Sequence, residues 1–428
     1  MTDHSEHSRL TRGRLFAVSA AVGSALGLGR TPALAAPAVD AAHPRPPLAD
    51  TIPFYGPHQA GIVTPQQSHS YFAALDLVAT DRASVIAMLQ AWTTAAARMT
   101  AGHPAQASPG SYDAASPPIQ DGGDAIGLPP ARLTITVGFG AGLFVKDGVD
   151  RYGLQSKRPA AFVDLPKFTG DQLIDARTGG DLSVQACADD PQVAFHAVRQ
   201  LVRLADGVAT MRWVQTGFLS GDPAKETPRN LMGFKDGTQT PSDMKHFVWV
   251  GDEGPHWMQG GSYVVARRIR IALEHWDRMN VAFQEQTIGR QKASGAPIGM
   301  KHEFDALPLA ATDKDGNPII AENAHVRLAN ASTNGGAQIL RRGYSYNEGV
   351  SFIAERWPPW RQGMEYDAGL LFISYQRDAT ASFIPMLEKM SKIDMLNQFA
   401  THTGSGFFAC PRGVGHGEYI GQALFESA

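Results

Sequence analysis

LSVQACADDPQVAFHAVRQLVRLADGVATMRWV, residues 182–214, decides the fold class. Leu182 to Cys187 reads as a strand. Asp190-Pro191 opens a helix, because proline suits the first helical position, and Val193, Ala194, Ala197, Val198, Leu201 and Val202 share one face of it. Asp206-Gly207 is a turn, and Val208 to Val214 is a second strand. The same pattern lies upstream. Tyr71 to Val78, entered from His69-Ser70, is a strand candidate, and Asp81 caps a helix with Val85, Met88, Leu89, Trp92 and Ala96 at a 3.6-residue period. A Gly/Pro/Ser-rich loop runs from about Ala101 to Pro130, and Leu133, Ile135 and Val137 then alternate with threonine as in a strand. The order β-α-β-β-α-β is the ferredoxin-like arrangement.

The second half repeats the plan. Tyr263 to Ile271 reads as a strand and Glu274 to about Glu285 as a helix. Gln338 to Leu340 and Leu370 to Tyr375 read as strands, Phe383, Met386, Leu387 and Met390 mark a helix, and Gly406 to Ala409 a last strand. The expectation is two α+β units, residues 53–220 and 221–428. The stretch from Gly289 to His325 fits no element, and a loop that long in a compact domain is usually functional.

Composition narrows the function. The 428 residues are 43% hydrophobic and 18% charged, a globular composition. A net charge of −3 without a basic run argues against nucleic acid or anionic lipid as a partner. Cys187 and Cys410 form neither a CxxC zinc pattern nor a CxxCH haem-attachment site, and two buried free thiols are favoured over a disulfide. Arg9, Arg12 and Arg14 precede an apolar run from Leu15 to Leu28 and the small-residue stretch Ala33-Leu34-Ala35-Ala36. Residues 1–36 therefore read as a signal peptide and 37–52 as a linker. The apolar run is too short for a stable membrane span, so the chain is expected outside the cytoplasm. Ser8 to Phe16 resembles a twin-arginine export signal in which Gly13 splits the arginine pair.

Four segments offer chemistry, each with an ordinary reading beside it. Gly233-Phe234-Lys235-Asp236-Gly237-Thr238 can hold a carboxylate over a cavity, yet Asp-Gly is commonest in surface turns. His325 is one of 14 histidines, and no HxxxH or HExxH pair points to zinc. Arg341-Arg342 after an apolar strand end reads equally as a solvated edge. Asp367 to Tyr375 reads as a buried strand.

In this order the segments resemble the dye-decolourising peroxidase family, from Phe54-Tyr55-Gly56-Pro57-His58-Gln59-Ala60-Gly61-Ile62 to Gly406-Phe407-Phe408. The opening segment and the Gly233–Gly237 turn resemble the subfamily linked to bacterial iron uptake, the deferrochelatase/peroxidases. Thr240-Pro241 departs from the Asn-Pro of many relatives, which is expected to alter a local hydrogen bond. The resemblance implies an α+β fold, a dimeric α+β barrel of two ferredoxin-like units in one chain. It implies one haem b per chain, held mainly by the second unit, with His325 as axial iron ligand. Asp236 would be the distal acid and Arg341 the distal arginine, with Arg342 the alternative. Asp394 would accept the other N–H of His325, with Asp367 as its rival. Leu370 and Phe372 would cover the distal face, and Arg327 would either pair with a haem propionate or be a surface charge. Tyr344, Tyr346, Trp357 and Trp360 are relay candidates for surface electron transfer, or packing residues. The implied partners are hydrogen peroxide, an aromatic electron donor and iron-uptake components, with a homodimer left open. Three functions compete: a peroxidase acting on bulky dye-like donors, a deferrochelatase releasing iron from haem, and a non-catalytic haem carrier.

Overall fold

The computed structural model describes residues 51–107, 121–223, 225–354 and 362–426. The signal peptide, most of the linker, Trp357 and Trp360 lie outside the described residues. No helix among the described residues is long and apolar enough to cross a membrane.

The first unit contains β1 (His69–Leu77), α1 (Arg82–Thr100), β2 (Thr134–Phe139), β3 (Leu182–Ala188), α2 (Pro191–Leu204) and β4 (Ala209–Phe218). Asp81 and Asp190 cap the two helices as their sequence positions suggest, accepting from Ser84 N and from Gln192 N and Val193 N. A short α3 (Met244–Phe247) leads to the second unit. That unit has β5 (Ser262–Ile271), α4 (Leu273–Trp276), α5 (Val281–Ile288), α6 (His325–Ala329), β6 (Leu340–Arg341), β7 (Tyr344–Ala354), β8 (Gln362–Gln376), α7 (Phe383–Ile393) and β9 (Ala400–Cys410), and α8 (Gln422–Glu426) follows.

All of the strand pairings are antiparallel. The first unit runs β2-β3-β1-β4 across the sheet, and the second runs β9-β5-β8-β7. Both are the ferredoxin-like order. Single residue pairs join the two sheets at their corners, Phe139 with Ala409 and Phe218 with Ser345, which closes the strands into a barrel. Side chains from both units fill its interior, including Phe72, Cys187, Val264, Tyr344, Leu371, Ile373, Tyr375, Phe408 and Cys410. Both cysteines are free and buried there.

The two units differ outside the barrel. In the first, α1 and α2 pack directly on the sheet, and Trp92 is fully buried with its indole N–H donating to Leu201 O at 2.8 Å. In the second, α5, α6 and α7 and the irregular 289–324 segment cover the sheet less tightly, and a cavity lies between.

Several sequence expectations need correction. The helix expected over 274–285 is two, α4 and α5, because the Asn280 side chain caps a fresh start by accepting from Phe283 N at 2.9 Å. The strand β7 was not foreseen, and β8 and β9 are longer than expected, since much of β7 and the first residues of β8 are exposed and carry no clean alternation. The threonines of β2 are as buried as its aliphatics. Their hydroxyls are satisfied instead, Thr136 by donating to Ala60 O at 2.7 Å and Thr134 by accepting from Gln67 at 3.0 Å. Tyr344 and Tyr346 are both buried in the core.

Trp92→Ala should cost about 3–5 kcal/mol, the usual range for emptying a buried indole site. Chemical denaturation measures it. A loss below about 1 kcal/mol would mean that α1 does not need this contact.

Candidate active site

Strand parity builds the site. Opposite partners on β8 and on the run 340–346 share a face. Leu340 pairs with Tyr375, Arg341 with Ser374, Tyr344 with Leu371 and Ser345 with Leu370. Arg341, Leu370 and Phe372 therefore face the cavity, while Arg342 and Tyr344 face the barrel interior. Arg342 is buried there, donating to Thr64 O and to Gln67 Oε1. Parity thus separates the two arginines that the sequence left as alternatives.

The cavity has a volume of about 240 Å³. Its apolar wall includes Ile269, Ile288, Leu370, Phe372, Met386 and Met390. His325 opens α6 and lines the same space, as does Asp394 at the end of α7. His325 Nδ1 is 2.7 Å from Asp394 Oδ2, while Oδ1 of that carboxylate accepts from Leu396 N at 2.8 Å. Backbone contact fixes the carboxylate, and the carboxylate fixes the ring. Burial disfavours the charged imidazole, but the facing Asp394 outweighs burial and raises the His325 pKa. Asp367 is not the partner, since it pairs with Arg268 at 2.8 Å.

Asp236 comes from the turn after the first unit. The turn is pinned at both ends: Gly233 N donates to Asn230 O and Asp236 N to Pro228 O, at 2.9 and 2.8 Å. Gly237 has φ +124°, which disfavours any side chain there. This is no free surface turn, because Phe234 is buried against Trp276 and Lys235 binds Glu303 at 2.6 Å. Glu303 also accepts from Thr238 at 3.0 Å. Asp236 Oδ1 accepts from Arg341 at 2.8 Å, whereas Oδ2 receives only a long 3.4 Å contact from Asn230.

Arg327 does not line the cavity. Its guanidinium donates to Ile320 O at 3.0 Å and Leu309 O at 2.8 Å, so it braces the irregular segment. The sequence reading missed Arg267, Arg290 and His402, which do line the cavity. One signal was available: Arg267, Arg268 and Arg270 interrupt an otherwise apolar strand, and a charge there demands a buried partner. The donor set suits haem. An imidazole with Nδ1 committed leaves Nε2 for iron, and the wall is largely apolar.

The family model described as Dyp-type peroxidase, N-terminal, matches residues 59–219, and Dyp-type peroxidase, C-terminal, matches 227–415. The chain is 39% identical over 388 residues to the dye-decolorizing peroxidase of Thermobifida fusca, covering 86% of this chain and 84% of that one. It is 36% identical over 388 residues to the deferrochelatase of Escherichia coli, covering 87% of each. Among solved structures, the DyP-type peroxidase of Cellulomonas bogoriensis aligns with TM-score 0.76 at 39% identity, over 88% of this chain and 98% of that one. Ferric DtpA from Streptomyces lividans aligns with TM-score 0.78 at 38% identity, over 89% and 98%.

The clamp on the turn should be sensitive to acid. Burial alone would raise the Glu303 pKa, but hydrogen bonds from Lys235, Thr227 and Thr238 lower it below the ordinary value. A depressed folded pKa stabilises the fold above the unfolded value of about 4.3, and that contribution disappears as pH falls through the folded pKa. Glu303→Gln should therefore unfold more easily than the wild type by a constant margin from about pH 5 to 8. The margin should shrink below about pH 4. Denaturation midpoints at pH 7 and pH 3 decide this, and an unchanged margin would show that the ionised carboxylate adds nothing.

Proposed function

Because this chain belongs to the Dyp-type peroxidase family and is a haem peroxidase, we propose that it spends hydrogen peroxide on bulky aromatic donors, with His325 as the residue that would hold the haem iron and Asp236 and Arg341 as the catalytic pair. The observation that carries this reading is the 2.8 Å Asp236–Arg341 ion pair lining the same cavity as the Asp394-held His325. A haem carrier has no need of that pair.

Bound haem supplies an iron that passes the oxidising power of peroxide to a donor. The chain's own groups do the rest. His325 offers Nε2, and Asp394 makes it a stronger electron donor by accepting its Nδ1–H. Arg341 holds Oδ1 of Asp236, which leaves Oδ2 to take a proton from one peroxide oxygen and return it to the departing one. The Arg341 charge stabilises the oxygen that becomes negative. Leu370 and Phe372 keep that side apolar. The basic and apolar N-terminus supports export by the twin-arginine route. The unit limits 53–220 and 221–428 belong to the same reading, supported by where the two family matches start and end.

Asp236→Asn should slow the reaction with peroxide by about 10²–10⁴-fold, and Arg341→Leu by about 10²–10³-fold, with resting haem still bound. Stopped-flow absorbance across pH measures both rates. Wild-type rates in both variants would move the carrier reading ahead, and iron-free porphyrin released from intact haem would favour deferrochelation. Asp394→Asn should keep haem bound but raise the iron reduction potential, since the imidazole loses its anionic partner. Redox titration checks this, and an unchanged potential would remove Asp394 from the role.

A further inference from the structure

A row of polar groups along the cavity wall has no part in the proton chemistry above. Arg267 is about 1% exposed, and its guanidinium is fully committed. One Nη donates to the equally buried Asp171, the other to Ser405 Oγ at 3.2 Å, and Nε donates to His402 Nδ1 at 3.0 Å. The Phe168 ring lies 5.3 Å from the guanidinium carbon.

A guanidinium can only donate. His402 Nδ1 must therefore accept, and the ring's proton sits on Nε2. Burial and the Arg267 charge hold the His402 pKa well below its ordinary value, so the ring is neutral. Nε2–H has no acceptor among the described residues, and His402 lines the cavity.

The placement depends on a bulge. Arg267 pairs with Ser405, Arg268 with Gly404 and Ile269 with His402, so Thr403 is an extra residue. In a regular pleat positions 405 and 402 would face opposite sides. The bulge brings both to the face of Arg267, as bulges do when they re-aim a side chain. An N–H donor backed by a cation suits an anion, and Arg327 is turned away from the cavity.

We infer that His402 Nε2–H donates to a carboxylate of the bound haem, with Arg267 and Asp171 fixing the ring behind it. This rests on the reading that haem occupies the His325 cavity. The carboxylate could in chemistry belong to an anionic donor instead, and the test separates the two sources.

The full chain is loaded with haem b or with its dimethyl ester, and loss of each to excess apomyoglobin is followed by absorbance. His402→Leu should lose haem b roughly tenfold faster than the wild type, the scale of one hydrogen bond to a charged group. The wild type should lose the ester faster by at least a similar factor, and His402→Leu should show a smaller difference between acid and ester than the wild type. His402→Gln, which keeps an N–H donor, should recover part of the difference. Equal acceleration of acid and ester in His402→Leu would be a packing defect and would overturn the anchor. So would an ester held as firmly as the acid by the wild type together with a raised KM for a carboxylated donor in His402→Leu, which would assign the N–H to the donor. Unchanged haem loss in His402→Leu also overturns it, and a His325→Ala control identifies which idea failed. Faster haem loss in that control leaves the cavity reading standing and rejects the anchor alone; no change in either variant rejects the cavity reading as well.

Discussion

Successive side chains of a strand point to opposite faces, and β5 and β8 are covered on both. One set of residues fills the barrel and the alternate set lines the cavity. Val264, Ala266, Leu371 and Ile373 belong to the barrel, and Arg267, Ile269, Leu370 and Phe372 to the cavity. A one-residue slip of β8 would exchange the two sets, leaving the site without its apolar wall and the barrel without its core. The corner pairings that close the barrel guard against this, because they tie the register of the second sheet to that of the first.

The same constraint explains why one unit holds the site. Both units have the same strand order, but Trp92 and its neighbours seal the first sheet under α1 and α2. Over the second sheet the corresponding layer is α5, short α6, α7 and a long irregular segment, and the space beneath stays open. That segment is not idle. Glu303 grips Lys235 and Thr238, Arg290 donates to Gly295 O and Glu303 O, and Arg229 reaches Gly233 O, Lys292 O and Ala293 O. These bonds hold the Asp236 turn without a helix or a strand to carry it.

Charge inside the second unit is neutralised locally. Arg267 meets Asp171, Arg268 meets Asp367 and Glu348, and Arg270 meets Glu365. Removing one member of such a pair leaves a buried charge alone, which costs more than the pair gains. Asp367 is therefore a structural acid, although in sequence it stands as close to the apolar cavity strand as any candidate.

The sequence alone determined the first ferredoxin-like unit, because helix and strand periods and the Asp81 and Asp190 caps are local signals, whereas the second unit was legible only in part, without β7 and with α4 and α5 read as one helix. It also supplied His325, Asp236, Arg341 and Asp394 as candidates, through motif order along the chain. It ranked Arg341 over Arg342 and Asp394 over Asp367 only through the resemblance, whereas strand pairing puts the two adjacent arginines on opposite faces and the ion pair with Arg268 takes up Asp367. It left Arg327 between a propionate partner and a surface charge, and had no signal for its bonds to the backbone carbonyls of Ile320 and Leu309. It gave no hint of His402, which reaches the cavity wall only because a bulge at Thr403 shifts the pairing of β9 against β5. A register is a relation between distant segments, so only the tertiary structure decides it.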